Sequence, residues 1–553
     1  MYLLSIFPFL QGINELHIVF LLNIVLLGLL FYKLHKNKKL ILTKDIKFIL
    51  ILIWSVSYLI TTFYSVDAEL AFLGFLKFFT VPIFILLIMQ YEYSEDKRNN
   101  WFEAIGKIGA VMVIICLLSI LINKDLFFYQ NRLGGFFDYA NSFAMFLLIG
   151  LISTGFKEDF KLIDYFVMSL LVIGIILTNS RSLLIITIVS YISVLIFSKA
   201  TKKVKMLNSS ILLIVGISVV FIAGLFGVNN RIATTSGNSS EWLLRILYYK
   251  DALRLISQNI FGYGHMAWWY MQEGFQTGVY DAQYVHNGLL QVTLDVGIIP
   301  ALLIVVIFIK AFFEKNRNVR DKILMVVVLG HAFIDFDMEF LAILLPLFMT
   351  LEFDKKFSIK EMALAKVSTG VLITVYSFCG LVTFLGNAGL YEKANSIFAY
   401  SFNLDKQLQN ELDNENVIEI AQNLYDKNKY FINAAKVLSQ KEQVQNNYEK
   451  AHEYELWIVK NKKYTMRNYI EYVSFLEKAI KYYYSIDDIE EVKKYIDRLN
   501  EVENIVNNVK ETSDELAYKI QHKPRLDIPE EVTKYIRAMN EFKEKLTTWI
   551  ILR

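Results

Sequence analysis

Up to about position 390 the chain alternates apolar runs of roughly 15–25 residues with short polar stretches, and runs of that length cross a bilayer core. They predict about twelve membrane spans, near 14–32, 47–64, 70–90, 101–122, 137–156, 162–178, 181–198, 207–227, 287–312, 322–336, 339–353 and 362–386. From about Leu390 the pattern changes: charges recur every few residues and no run is long enough to span. Short helices are expected near 414–426, 429–440, 443–461, 465–485, 487–508 and 528–548. Leu476, Ala479, Ile480 and Tyr483 recur at helical spacing as core positions. The lengths and short breaks suggest stacked helical hairpins, although no strict repeat aligns. The fold class is therefore all-α. A polytopic transmembrane helical bundle over residues 1–389 precedes a soluble helical, repeat-like domain over 390–553, which serves either as a partner-binding groove or as a stabilising cap.

Composition agrees with that division. Hydrophobic residues are 55% and charged residues 20% of the 553, a shift towards the apolar relative to soluble proteins. The net charge of +3 divides into about +6 before position 390 and about −3 after it, which argues against a nucleic-acid partner. Cys116 and Cys379 both sit in apolar runs, so neither a disulfide framework nor metal-ligand spacing is present. No small-residue cleavage site follows the first apolar run, so no cleavable leader is expected.

Lysine and arginine crowd every second loop: Lys33 to Lys47, Lys97 with Arg98, Lys157 with Lys161, Lys199 to Lys205, Lys315 to Lys322, and Lys355 to Lys360. The positive-inside rule places these loops in the cytoplasm. An even number of spans then puts both termini, and the tail, outside a multi-pass cytoplasmic membrane. Cations on the outer side run against the rule and need another reason. Charges at the membrane edge are functional candidates, and Arg132, Arg181 and Arg245 are read so; Arg231, Lys250 and Arg254 are read as long side chains snorkelling at the interface.

The longest connection, 228–285, is the large outer loop, and loops of this length are usually functional. Residues 241–258 read as a partly amphipathic helix at the membrane interface. Gly262 and Gly264 allow a tight turn with backbone exposed to a ligand. Trp268 and Trp269 read either as an interfacial belt or as platforms for sugar rings. His286 falls at the start of the next span. A helix N-terminus favours the neutral imidazole, which accepts a hydroxyl proton as a general base does; an interfacial hydrogen-bonded histidine is the plain alternative. His331, Asp335, Asp337 and Glu339 form a second cluster. His331 and Asp335, four apart, share a helix face. Metal binding is open to this cluster, but a carboxylate holding one of the outer arginines is favoured.

The order of these pieces resembles the O-antigen ligase and polymerase superfamily, which includes bacterial protein O-oligosaccharyltransferases. The pieces are Arg132-Leu133-Gly134-Gly135 with Tyr139-Ala140-Asn141; Asn179-Ser180-Arg181-Ser182; Trp242 to Arg245; Phe261 to Gly264; His286 to Gln291 with Gly297; and His331 to Asp335. Asn259 and Asp295 depart from the proline and glutamate common at those places. The tail, from Tyr391 to Ala394 onward, resembles tetratricopeptide extensions. The resemblance implies a C-type membrane glycosyltransferase fold and an inverting transfer that uses no metal and no cofactor. A glycan would pass from a polyprenyl-diphosphate carrier to a glycan, lipid or protein acceptor hydroxyl outside the membrane. It implies His286 as the catalytic residue, with Arg181, Arg245 and Arg132 on the diphosphate and Asn141 and Asp335 in the same substrate site. A ligase is preferred to a repeat-unit polymerase. A lipid-linked glycan flippase would need charge near the bilayer midplane and interrupted helices in related halves, and midspan charge is scarce. A mere anchor for the tail leaves the outer arginines and His286 unexplained.

Overall fold

The computed structural model describes residues 2–91, 94–225, 240–360, 362–411 and 416–551. Every predicted span contains helix. In chain order these are α1 (Leu16–Asn37), α2 (Ile46–Thr61), α3 (Ala68–Phe78), α4 (Thr80–Met89), α5 (Glu95–Ser119), α6 (Ala140–Gly155), α7 (Leu162–Leu177), α8 (Arg181–Phe197) and α9 (Lys202–Leu225). The outer loop supplies α10 (Ser240–Gln258) and α11 (Ala267–Phe275). The bundle continues with α12 (Gly288–Val296), α13 (Ile298–Phe312), α14 (Val319–Ala332), α15 (Leu341–Met349) and α16 (Ala363–Asn387). Two predicted spans are each two helices: one breaks at Phe79, the other at Gly297. Among the described residues, five helices, or helix pairs, are long and apolar enough to cross a membrane, and five shorter apolar helices accompany them. The chain is an all-α membrane protein.

α6 lies at the centre. All sixteen of its residues are buried, as expected of a helix apolar on every side. Its backbone comes close to α5 where two glycines meet: a Cβ on Gly150 would stand 2.8 Å from the Gly106 Cα. Small residues permit such approach between membrane helices.

The lysine- and arginine-rich loops gather at one end of the bundle, the basic face. There strands 40–43 and 356–359 pair antiparallel, and Asp45 caps α2 while also accepting from the Asp354 N–H at 3.1 Å. The other end is the site face.

The tail forms α17 (Tyr391–Ile397), α18 (Ser401–Asn410), α19 (Val417–Lys427), α20 (Ile432–Val444), α21 (Tyr448–Asn461), α22 (Met466–Ser485), α23 (Ile489–Thr512) and α24 (Glu530–Ile551). Each packs on the next. Leu476, Ala479 and Ile480 are buried against Val492, Tyr495, Ile496 and Leu499. The first tail helices share the bundle's own hydrophobic core. Contact with the bundle is polar as well. Asp67 caps α3 and accepts from Asn428 at 2.9 Å and from Ser401. Lys427 pairs with Glu69.

The outer loop corrects several expectations. The Gly-x-Gly turn does not offer its backbone to a ligand. The Tyr263 and Gly264 N–H groups donate to the Leu294 and Asp295 carbonyls at 2.7 and 3.0 Å, filling the break between α12 and α13. Gly262, Gly264 and Gly297 all have φ near +90°, a conformation cheap only for glycine. Trp268 is buried and donates to the Ala282 carbonyl at 2.8 Å, and Trp269 packs on Phe402 and Phe431 of the tail. The tryptophans join the loop to its surroundings; they are neither a lipid belt nor a sugar platform. Lys250 pairs with Asp514 at 2.7 Å, and Arg254 with Asp251 at 2.7 Å, so neither snorkels. Arg231 lies outside the described residues.

Candidate functional site

The site is built from the turns and first helical turns that meet at one end of the bundle. Asn287 caps α12, its side chain accepting from the Leu289 and Leu290 N–H groups. His286 stands just before that cap with φ +56°. Tyr249 on α10 donates to the His286 carbonyl at 2.8 Å, Tyr248 stacks on the imidazole, and Phe336 meets it edge-on. With its backbone and both ring faces engaged, the imidazole has a fixed direction.

That direction is towards Asp335. His286 Nδ1 lies 3.2 Å from the Asp335 carboxylate. Tyr139 donates to both Asp335 oxygens at 3.0 and 3.1 Å, and Asn141 donates at 2.5 Å. Arg245, from α10, reaches the same carboxylate at 3.5 Å. Arg132 joins one step away, donating to the Asn141 side-chain oxygen at 2.6 Å and to the Thr178 carbonyl at 3.1 Å. Asp335 is fully buried in the turn beyond α14. The donors of His286, Tyr139, Asn141 and Arg245 offset the cost of burying this carboxylate.

A second pair lies beneath. His331 pairs with Asp337, not with Asp335 four residues on. Helix α14 ends at Ala332, so helical spacing no longer sets the partner. Ser182 meets the other nitrogen of His331 at 3.1 Å, and Ser142 donates to Asp337 at 2.8 Å. Glu339 pairs with Lys77 at 2.9 Å. The four residues of this cluster therefore have protein partners rather than a shared ligand.

Thus His286, Asp335, Arg245, Asn141 and Arg132 form one connected network. Arg181 opens α8 beside Ser182, half-buried, and has no hydrogen bond or ion pair among the described residues. Tyr139, Tyr248, Ser142 and Ser182 are the participants to which the sequence assigned no role, whereas Asp337 stood in the expected acidic cluster. Only Tyr139 and Ser182 stood within quoted motifs.

Residues 166–306 match the family model Wzy_C, described as O-antigen ligase. This is a match to the O-antigen ligase superfamily. The matched segment contains Arg181, Arg245 and His286, whereas Arg132, Asn141 and Asp335 lie in flanking segments outside it. The match supports a membrane glycosyltransferase-like function at that coarse level. No curated protein and no solved structure matches the chain.

The first turns of α6, α8 and α12 are tied together here. Asn141 and Ser142 on α6 bond to Asp335 and Asp337, Ser182 on α8 to His331, and the segment entering α12 supplies His286. Each first turn adds partial positive charge to that of the arginines, so the site suits an anion with several oxygens.

Proposed function

We propose that the chain transfers a glycan from a polyprenyl-diphosphate carrier to an acceptor hydroxyl at the outer face of the cytoplasmic membrane, as a ligase. The observation that carries this reading is the His286–Asp335 pair with Arg245 on the same carboxylate. Asp335 accepts from Nδ1–H and so leaves the Nε2 lone pair to receive a proton. Nε2 takes the proton of the acceptor hydroxyl as its oxygen attacks the anomeric carbon. The bond from that carbon to the diphosphate breaks, and the configuration inverts. The departing negative charge falls to the guanidiniums of Arg245, Arg181 and Arg132, whose planar donors fit phosphate oxygens. The leaving group is already good, so alignment and charge stabilisation are the main requirements.

The ligase reading is supported by the tail, which packs on the site face through Trp269 and the Lys250–Asp514 pair; in this reading the tail presents the acceptor. In this reading residues 390–553 form an extracytoplasmic domain with access to a protein partner.

Reconstituted with a polyprenyl-diphosphate-linked glycan, His286→Ala is expected to lose about 10²–10⁴-fold in transfer rate, the span of a lost general base. Unchanged transfer overturns the assignment. In a deletion strain, long polymer left on the carrier supports a ligase, single repeat units a polymerase, and unchanged glycans reject both.

A further inference from the structure

Apart from the network around His286, the site face holds a cavity of about 240 Å³ between the bundle and the tail. Its walls come from the residues leading into α1, the end of α16, the loop at Gln283 and Tyr284, and tail helices α17 and α18. Nothing in the reaction described above uses it.

Its lining has a definite chemistry. Gln283, Asn387 and Asn403 bring side-chain amides, each able to donate and accept, which matches the dual character of a sugar hydroxyl; the Asn14 oxygen already accepts from Lys77 at 3.0 Å. Tyr284, Tyr400 and Phe402 bring flat apolar faces for the C–H side of a ring. The deeper charges are already paired: Lys77 with Glu339, His265 with Asp295. Glu15 and Lys406 are of opposite sign. A cavity so balanced selects a neutral ligand.

An independent observation marks it as incomplete. Asn403 is only 2% exposed, and its side-chain N–H group has no hydrogen-bond partner. It packs against Gly386, where a Cβ would stand 2.3 Å from its oxygen. A buried amide left unpaired costs about 1–3 kcal/mol, so it calls for an occupant that accepts from it.

The cavity also backs onto the reacting residues. Tyr284 lines it and stacks on Phe336 at 4.7 Å, and Phe336 meets the His286 ring at 4.9 Å between centroids. We propose that this cavity is a saccharide subsite, holding a neutral sugar ring of a glycan whose reacting end lies at His286. The inference rests on the transfer reading for its role, but the binding it asserts is measured without transfer.

Saturation-transfer NMR on the full-length protein in detergent, with free mono- and disaccharides of glucose, galactose, N-acetylglucosamine and rhamnose as probes, tests it. At least one probe is expected to bind. Binding should weaken tenfold or more in Asn403→Leu, which removes the unpaired donor, and in Asn387→Trp, which fills the exposed rim without disturbing a buried residue. His286→Ala should bind as the wild type does. In the transfer assay Asn387→Trp should raise KM for the substrate that occupies the cavity while kcat holds, and whether donor or acceptor responds names the source of the sugar. No binding by any probe, or equal binding in both cavity variants, overturns the subsite. Neither result bears on His286, whose own test is the loss of transfer.

Discussion

At the basic face Arg98, Arg317 and Arg320 meet Asp321, Glu314 and Glu352, and further donors of Arg317 and Arg320 go to the Ala311 and Thr350 carbonyls and the Asn99 side chain. At the site face Arg245 and His286 share the single carboxylate of Asp335, and Arg132 joins through Asn141. The residue types are the same, but the arrangements are opposite. On the basic face acids match guanidiniums and the cluster is closed. On the site face Arg245 spends one long contact on Asp335, and Arg181 makes none among the described residues. A closed cluster holds helices together; an open one keeps donors for a ligand.

The sharpest way to separate the two is to neutralise one acid on each face. Asp335→Asn removes the acceptor that orients His286, and transfer is expected to fall about 10²-fold or more, read as kcat in the reconstituted system. If kcat stays within twofold, Asp335 does not orient the base. Asp321→Asn should act on stability instead. It leaves Arg98 and Arg320 buried without their shared partner, at a cost of about 3–5 kcal/mol. Thermal unfolding in detergent measures this, and transfer per folded molecule should be unchanged.

The next effect is smaller. Arg245→Lys keeps the charge and loses the planar donor pair, so donor KM should rise about tenfold, equivalent to about 1.4 kcal/mol. The same exchange at Arg317, whose donors are spent on Glu314 and Thr350, should leave donor KM alone.

The smallest expected effect is on tail docking. Lys463, in the turn before α22, donates to the Gly274 carbonyl at 2.9 Å, and burial with the nearby Arg254 lowers its pKa to about 8. In the unfolded chain it titrates near 10.4. Between these values the unfolded chain binds the extra proton, so stability rises with pH from about 8 to about 10. Below 8 the full cost of burying the charge remains. The protection of the amides of residues 462–466, taken relative to their intrinsic exchange at each pH, should rise over that window, and Lys463→Met should flatten the dependence.

Much of this was legible from the chain. Apolar run length located helices because hydrocarbon thickness fixes it, and the apolar run starting near 287 put His286 at a helix mouth. That a carboxylate of the cluster from His331 to Glu339 would hold an outer arginine was legible, and Asp335 does so with Arg245; the partner of His331 was not. His331 and Asp335 have helical spacing, but the helix stops between them and Asp337 takes the histidine. The glycine turn carried no signal that its N–H groups would be used by another helix end. α17 and α18 were missed because Tyr391–Asn410 is short and mixed in polarity, and their burial depends on the bundle beneath. Nor did Lys250 or Arg254 announce their carboxylates, since Asp514 lies 264 positions away from Lys250 and Asp251 is buried only by Thr277 and Tyr280.

The interruption at Gly297 reaches further than its own turn. α12 has nine residues and rises roughly 13 Å, less than half of the ~30 Å hydrocarbon layer. Carbonyls released at that depth find no water, and Tyr263 and Gly264 are what meets them. The strip from Ile260 to Gly264 is therefore threaded into the bundle like a bung into a cask. An exchange of outer loops between related chains has to stop short of it at Gln258, because a graft that takes this strip away uncorks the span.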